Sequence, residues 1–465
     1  MSFSSKLSES FARVIDKSPF TVMDQVVKIQ HISTGNNVVF GRTIKAGNVD
    51  NLIYIGKILE SAAGKSYLGC DAWLDVTFPH VVYITGTRGS GKSFDLGVIL
   101  EGISELSSPS AVQNGVTPIT SILIDTQSQF WTLRFEPKSS VEANKSQLDE
   151  LKRWNIPPNA LSNTRVYIAP GSQKFLGDEV ELRLRPKDVT HAEWCALLGQ
   201  DVYGPQGHIL AKTLEALDGS EYSIGDILSF IADDNNWMQV AESSRNAISY
   251  KLEDYQRTGL FDVNGITVKD LLVPGLCNIL MLRELRNEDK SLVTAIIARQ
   301  LFTIMGEHHT RKKISDFFET AEGSESLPGR VWLLIDEAHV VAPKDAPSPA
   351  REALVEYVKR GRDAGLSLVL ATQQPSAVDD RILSQVNITL NHRLTFQSDI
   401  SAATNRVPTK TISTMKMSGT QLDDFGDMIR VLDSGQTFLG DHGTSRVMLL
   451  QIRPRISAHG GYSPI

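Results

Sequence analysis

Short apolar runs recur along the chain, and each ends at a polar or glycine-rich turn. Five of them stand out by their aliphatic and β-branched content: Val81–Thr85, Ile119–Ile124, Cys277–Leu282, Val331–Ile335 and Leu366–Thr372. Runs of this length predict strands that are buried on both faces of a parallel sheet. Segments with apolar residues at helical spacing lie between them. The pattern therefore predicts an α/β core in which a mostly parallel sheet is flanked by helices.

Two regions depart from this alternation. Residues 1–80 contain several short β-like stretches separated by Gly and Asn, among them Val26–Ile29, and predict a small N-terminal β-barrel. Residues 131–270 have a mainly helical pattern and predict a helical insertion. The core is then divided into a first part at 81–130 and a second part at 271–450, with a C-terminal tail at 451–465.

Bulk composition narrows the class of protein. The chain has 465 residues, of which 41% are hydrophobic and 22% charged, as in an ordinary globular protein. No apolar run approaches the length of a membrane span, and the N-terminus has no signal-peptide pattern. Three widely spaced cysteines fit neither a disulfide framework nor a metal cluster, so we expect a cytoplasmic protein without a membrane anchor. The net charge of −7 argues against a monomer that coats nucleic acid through a basic face.

The chemistry of the chain is concentrated first at residues 86–93. Gly86–Ser93 fits the phosphate-loop pattern G-x-x-x-x-G-K-[ST] at each fixed position, after a predicted strand and before a predicted helix. In such a loop the backbone N–H groups and the helix N-terminus bind phosphate oxygens. Lys92 is expected to reach the β- and γ-phosphates of ATP, and the Ser93 hydroxyl to hold Mg²⁺. The predicted nucleotide-binding residues are Gly86, Thr87, Arg88, Gly89, Ser90, Gly91, Lys92, Ser93 and Phe94.

Acids follow two other predicted strands. Asp336 and Glu337 end the strand Val331–Ile335, where they would complete the phosphate site. We expect Asp336 to hold Mg²⁺, and Glu337 to polarise the attacking water as a catalytic residue. Asp125 ends the strand Ile119–Ile124 and has two possible roles. It could orient water or Mg²⁺, or it could cap the next helix.

The remaining candidates lie in the last third of the chain. Gln373 follows the strand Leu366–Thr372 and is predicted to sense the γ-phosphate. Asp336–His339 has the sequence Asp-Glu-Ala-His, which is the DEAH box of two-lobed helicases. Only 126 residues follow it, which is too few for a second lobe. We therefore expect an oligomer in which a neighbouring subunit completes the site. Arg360 or Arg362, at the end of a predicted helix, could be the arginine supplied in trans, or either could lie on a solvated face.

These motifs and their order resemble the HerA branch of the FtsK–HerA ATPases. Further segments that resemble this family are Asp270–Gly275, Ile382–Asn387, Ile452–Arg455 and His459–Gly461. The resemblance implies a RecA-like P-loop NTPase core behind an N-terminal β-barrel. It also implies a homo-hexameric ring whose channel takes double-stranded DNA, with residues 451–465 packing on a neighbouring subunit. A nuclease or another effector would dock on the ring, for DNA end processing or antiviral defence.

Two functional hypotheses follow from the sequence. The first is a Mg²⁺-dependent ATP hydrolase that grips or translocates double-stranded DNA and drives a partner effector. The second is an assembly platform that uses ATP to oligomerise and present an effector, with little translocation.

Overall fold

The computed structural model describes most of the chain from residue 69 onward and a smaller part before it. The described residues are 20–21, 37–41, 50–59, 61–62, 65–66, 69–237, 240–319, 326–407, 415–417, 420–422, 424–443 and 445–460.

One large mixed sheet forms the centre of the fold. Nineteen strands are described, β1 to β19 in chain order: Phe20–Thr21, Asn37–Phe40, Leu52–Ile58, Ser61–Ala62, Lys65–Ser66, Asp71–Asp75, Val81–Thr85, Gln113–Asn114, Thr120–Asp125, Thr164–Ile168, Val180–Glu181, Cys277–Met281, Val331–Ile335, Leu366–Thr372, Ile388–Asn391, Met415–Met417, Thr420–Leu422, Gln436–Asp441 and Arg446–Ile452. Along the large sheet the strand order is β11-β10-β12-β9-β13-β14-β7-β15-β18-β19-β3-β6-β2, with β8 beside β3. From β11 to β15 every pairing is parallel. The five strands predicted from apolar runs are all central members of this parallel part.

Helices cover both faces of the sheet. The described α-helices, α1 to α13 in chain order, are Lys92–Ile103, Glu142–Trp154, His191–Leu197, Pro205–Leu217, Ile224–Ala232, Glu242–Thr258, Val268–Leu271, Asn287–Phe318, Ala338–Val341, Pro349–Arg360, Asp380–Leu383, Gln397–Thr404 and Phe425–Arg430. Within the described residues, no helix is both long and apolar enough to cross a bilayer.

The two faces of the sheet bury separate apolar cores. In β7, Val82 and Ile84 point to the core that contains Leu96 of α1, whereas Tyr83 points to the opposite core with Leu292 of α8. Successive residues of a strand face opposite sides, so a continuous apolar run is what a doubly covered strand requires. This explains why the apolar runs of the sequence predicted the parallel strands correctly.

The N-terminal strands differ from the prediction. Strand β6 pairs with both β2 and β3, and β3 pairs antiparallel with β19, so these strands continue the core sheet. Continuing the sheet satisfies the backbone groups of β19 that would otherwise form an exposed edge. The stretch Val26–Ile29 lies outside the described residues. A separate N-terminal barrel therefore stays a prediction.

The predicted helical insertion at residues 131–270 needs a correction. Thr164–Ile168, inside that range, is strand β10 and pairs in parallel with Cys277–Met281 along its whole length. Only its second half, Val166–Ile168, is buried, and an apolar run of this length is easily missed between helices. The continuous helical region begins later, at His191, and consists of α3 to α7 on one face of the sheet.

The described part of the predicted C-terminal tail packs on its own chain. Strand β19 includes Gln451 and Ile452, and residues 453–458 after it are buried. The structure contains one chain, so a contact of residues 451–465 with a neighbouring subunit stays a prediction. Residues 461–465 lie outside the described part.

Candidate nucleotide site

The phosphate-loop candidate, Gly86–Ser93, joins β7 to α1 at the carboxyl edge of the sheet. Gly89 and Gly91 have φ angles of 76° and 131°, which L side chains rarely adopt. A Cβ added at Gly86 would lie 2.3 Å from the Ser90 Oγ, so glycine is needed where the loop turns back on itself. The loop therefore has the tight curl with which backbone N–H groups surround a phosphate.

Segments on the side of β15 and β18 brace this loop. The Thr87 N–H donates to the carbonyl of Arg393 at 2.8 Å, and the Gly435 N–H donates to the carbonyl of Ser90 at 3.0 Å. Arg393 lies just after β15 and Gly435 just before β18, so both contacts come from segments next to strands of the sheet. These two hydrogen bonds tie the loop to the core of the fold.

Lys92 is the first residue of α1 and is only 5% exposed. Its Nζ donates to the carbonyl of Thr87 at 2.9 Å. Burial lowers the pKa of Lys92, and the nearby charges of Glu337, Asp336 and Asp95 act against that shift. Lys92 and the two acids at the end of β13 therefore share one electrostatic environment.

Asp336 is a buried carboxylate with unused acceptor capacity. It is 1% exposed, and neither side-chain oxygen has a hydrogen-bond partner of good geometry in the described part of the chain. Burial raises the pKa of Asp336 well above its ordinary value, and the charges of Glu337 and Asp125 raise it further. A buried, unpaired carboxylate is costly unless a cation or a proton compensates it. This is the position where the sequence predicted a metal ligand.

Glu337 is held in an unusual conformation by its neighbours. Its φ of 54° is in the left-handed region, which is strained for a residue with a side chain. The side-chain amide of Gln373 donates to its Oε1, and the Gln373 backbone N–H donates to its Oε2 at 3.3 Å. The Nδ1 of His339 lies 3.4 Å from the same Oε2 and 3.0 Å from the Thr372 hydroxyl. The backbone conformation and these contacts together fix the position of the Glu337 carboxylate.

The donor set at this edge fits Mg²⁺. Ser93 and Asp336 offer a hydroxyl and a carboxylate, and the ion prefers oxygen ligands, taking one or two carboxylates together with phosphate oxygens and water. The unpartnered oxygens of Asp336 supply the acceptor capacity that this coordination needs. Of the other predicted nucleotide contacts, Arg88 is exposed on the loop and Phe94 is half-buried in the first turn of α1.

For Asp125 the structure favours the capping alternative. The Phe130 N–H donates to its Oδ2 at 2.9 Å, and the Gln127 N–H donates to its Oδ1 at 3.2 Å. Asp125 is fully buried, and burial raises its pKa to about 6 although these backbone donors act in the opposite direction. Its oxygens thus hold the turn that leads into the 3₁₀-helix Phe130–Arg134. Its influence on the site is the negative charge it places near Asp336.

Arg360 and Arg362 lie at the opposite edge of the sheet from the phosphate loop. Arg360 ends α10, and Arg362 is in the 3₁₀-helix Gly361–Ala364, directly before the amino end of β14. Arg362 also lies close enough to His80, just before β7, to affect its pKa. Neither arginine can therefore act in the site of its own chain without crossing the sheet.

One pair under the phosphate loop was not predicted. His392 is fully buried; its Nε2 lies 2.7 Å from the Asp95 Oδ2 and its Nδ1 lies 2.8 Å from the Gln436 carbonyl. Each ring nitrogen thus faces an oxygen atom of the surrounding chain. A Cβ on Gly91 would lie 3.0 Å from this ring, so the pair forms the floor of the loop. Because almost 300 residues separate the partners, no local pattern could have revealed it.

Comparison with known families agrees with this geometry. The family model of the central domain of helicase HerA matches residues 53–301, which is more than half of the chain. The chain belongs to the HerA family. The match includes the phosphate loop and all of residues 131–270, the region predicted as an insertion, so this region is part of the family's domain.

Individual HerA relatives are distant. The DNA double-strand break repair helicase HerA of Sulfurisphaera tokodaii is 24% identical over 147 residues, which are 31% of this chain and 28% of the relative. The protein of the same name from Pyrococcus furiosus is 23% identical over 252 residues, covering 45% of each chain. The chain spans less than half the length of the curated relatives that it matches here.

Solved structures with an overall likeness are more distant still. VirB4 of Thermoanaerobacter pseudethanolicus is 13% identical, with 87% of this chain and 97% of that chain covered and a TM-score of 0.49. The plasmid coupling protein TrwB in complex with ADP and Mg²⁺ is 12% identical, with 81% and 86% covered and a TM-score of 0.48.

Proposed function

We propose that this HerA-family chain is a Mg²⁺-dependent ATP hydrolase with a RecA-like core. The observation that carries the proposal is the buried carboxylate of Asp336, whose oxygens have no good hydrogen-bond partner and which shares the electrostatic environment of Lys92. A phosphate loop alone indicates nucleotide binding. A phosphate loop combined with an unpartnered buried acid and a positioned second acid supports hydrolysis.

The residues divide the work as follows. Lys92 and the loop N–H groups bind and orient the β- and γ-phosphates, and Ser93 and Asp336 would hold Mg²⁺. When bound, the ion neutralises phosphate charge. Glu337 polarises the attacking water, and Gln373 orients the Glu337 carboxylate through its two hydrogen bonds. This gives Gln373 a positioning role in addition to the predicted contact with the γ-phosphate.

We further propose that the site is shared between subunits of a homo-hexameric ring. Each chain carries its phosphate loop on the carboxyl edge and its candidate arginines, Arg360 and Arg362, on the amino edge. In a head-to-tail arrangement the amino edge of one copy can face the carboxyl edge of the next, and such heterologous contacts form a ring when the rotation between copies closes. The arginine of the neighbour would then stabilise charge in the transition state.

Double-stranded DNA is the proposed substrate of the ring, and a nuclease or other effector is its proposed partner. Support comes from the family and from relatives whose names describe DNA double-strand break repair helicases. The second candidate function is an ATP-dependent assembly platform for an effector. It is favoured by the acidic balance of the chain, a net charge of −7.

DNA-dependent hydrolysis distinguishes the two functions. A DNA motor should hydrolyse ATP faster with duplex DNA, and the stimulation should fall steeply between 50 and 200 mM salt, at roughly 0.9 log units per phosphate contact per log unit of salt. A platform should hydrolyse ATP at one rate with or without DNA. If the wild-type chain, like the Glu337→Gln variant, showed no basal ATP hydrolysis, both proposed functions would be contradicted.

A further inference from the structure

The turn after β13 places a histidine beside the candidate catalytic acid. His339 is the second residue of α9, the single helical turn Ala338–Val341. Ala338 and Val341 are buried in the apolar core, and the Val341 carbonyl accepts from the Ser291 hydroxyl of α8 at 2.9 Å. The backbone that carries His339 is therefore held by the core on both sides of this residue.

The ends of two neighbouring strands meet at the His339 ring. Strands β13 and β14 pair in parallel with Ile335 beside Leu370, so the residues that follow this pair lie at the same edge of the sheet. His339 Nδ1 lies 3.4 Å from Glu337 Oε2 and 3.0 Å from the hydroxyl of Thr372, the last residue of β14. Because Glu337 and Thr372 are both buried, water competes little for these contacts.

The surroundings of the ring favour one tautomer. An ionised carboxylate only accepts hydrogen bonds, so a ring nitrogen beside Glu337 is favourable when it carries a hydrogen. The Thr372 hydroxyl has two lone pairs; one accepts from the Gln374 N–H at 3.0 Å, and the other can accept from His339 Nδ1. Burial lowers the pKa of His339, although the charge of Glu337 acts against that shift. The ring is therefore neutral at pH 7 and donates from Nδ1 alone.

The other donors to Glu337 both belong to one residue. The Gln373 side-chain amide donates to Oε1, and the Gln373 backbone N–H donates to Oε2 at 3.3 Å. His339 approaches Oε2 from α9, a different element, and its ring is itself held by Thr372. The carboxylate is thus held between α9 and the end of β14. We propose that His339 is a positioning residue for ATP hydrolysis, whose Nδ1–H keeps the Glu337 carboxylate in the orientation in which it polarises the attacking water.

This inference rests on the proposed function, because it gives His339 a role only through Glu337. Misplacing a catalytic group affects the chemical step rather than nucleotide binding. His339→Ala should therefore lower kcat roughly 10- to 100-fold, while the KM for ATP and the affinity for Mg·ADP stay within about twofold. Steady-state kinetics and calorimetry on the full chain measure these quantities. His208→Ala, on an exposed histidine of α4, is the matched control and should keep the wild-type kcat.

Two amide variants separate the ring nitrogens. The side-chain N–H₂ of His339→Asn can lie near the position of Nδ1, whereas the longer side chain of His339→Gln carries its N–H₂ toward the position of Nε2. His339→Asn should recover most of the kcat that His339→Ala loses, and His339→Gln should not.

A double substitution tests whether His339 acts through Glu337. Residues that act as a unit have strongly non-additive effects on rate. In a Glu337→Gln chain, adding His339→Ala should therefore change the single-turnover rate by less than about twofold.

The outcomes are distinct. Wild-type kcat in His339→Ala, or the same fold loss in the Glu337→Gln chain as in the wild type, would overturn the inference. Mg·ADP affinity that falls together with kcat would show that the histidine only supports the fold, which would also overturn it. If His339→Ala does not fold, equal rates of His339→Asn and His339→Gln would have the same meaning. A wild-type chain without ATP hydrolysis, or full activity of Glu337→Gln, would instead contradict the proposed function.

Discussion

The carboxyl and amino edges of the sheet are built in opposite ways. On the carboxyl edge the charged groups are buried, with Lys92, Asp336 and Glu337 each at most 5% exposed. Their positions are fixed by strand ends, by the left-handed backbone at Glu337 and by the contacts of Gln373. On the amino edge Arg360 is exposed, pairs loosely with Glu356 at 3.7 Å and lies over the Phe302 ring at 5.1 Å.

The contrast indicates where binding energy is available. Exposed ion pairs contribute little, so moving Arg360 or Arg362 into a partner's site costs little. Buried unpaired charge, by contrast, is stabilised by any cation that reaches it. The carboxyl edge therefore binds added positive charge favourably, and the amino edge carries exposed arginines. A site shared between subunits requires this arrangement.

The largest effect should come from breaking the carboxyl edge at Glu337. We expect Glu337→Gln to bind ATP normally and to lose roughly 10²- to 10⁴-fold in hydrolysis rate, because the variant cannot polarise water. Single-turnover hydrolysis and nucleotide binding should be measured together. Glu307→Gln, in an exposed pair with Arg311 on α8, is the control and should keep the wild-type rate.

Lys92 tests the same edge at the level of binding. Lys92→Ala removes the buried ammonium opposite two carboxylates, so Mg·ADP affinity should fall at least about 30-fold. Lys65→Ala is a matched control, since Ala63–Ser66 imitates part of the phosphate-loop pattern without its first glycine. Equal losses in the two variants would contradict the assignment of Gly86–Ser93.

The pH dependence of the free energy of unfolding also distinguishes the carboxyl edge from the amino edge. His459 near the carboxyl edge and His309 near the amino edge both have pKa values lowered mainly by burial, to about 3 for His459. The unfolded chain binds more protons than the folded chain below an unfolded pKa of about 6.5, so stability falls as the pH falls. Each such group adds at most about 1.4 kcal/mol per pH unit to that slope.

We therefore expect His459→Gln to flatten the loss of unfolding free energy between pH 6.5 and pH 4 more than His309→Gln does. Urea unfolding at fixed pH values measures this difference. Equal changes in slope would mean that burial lowers the pKa of His459 no more than that of His309, which would contradict this prediction.

The central parallel strands and the site residues on them could be predicted from the sequence. Asp336 and Lys92 follow local rules, because a buried strand is recognisable as an apolar run and functional side chains cluster at its carboxyl end. The phosphate loop is likewise a local pattern whose spacing carries the chemistry.

The parts that could not be predicted depend on contacts between distant residues. Strand β10 begins with Thr164 and Arg165, so only Val166–Ile168 form an apolar run, and its identity is settled by pairing with Cys277–Met281. The partners His392 and Asp95, and Glu101 with Arg453, are brought together only by the folded sheet. The two possible roles of Asp125 were separable only once its backbone donors were located.

The central claim, that one site is built from the two opposite edges of neighbouring copies, is tested most directly by mixing defective subunits. Lys92→Ala chains are co-expressed with Arg362→Ala chains, and in a second experiment with Arg360→Ala chains, under two affinity tags. Each variant alone should be nearly inactive if its residue is essential, the arginine loss reaching about 10³-fold. A random equal mixture pairs an intact loop with an intact arginine at about a quarter of the interfaces of a head-to-tail ring, so one of the two mixtures should recover up to that share of wild-type hydrolysis. No recovery in either mixture, or full activity of both arginine variants alone, would contradict the account.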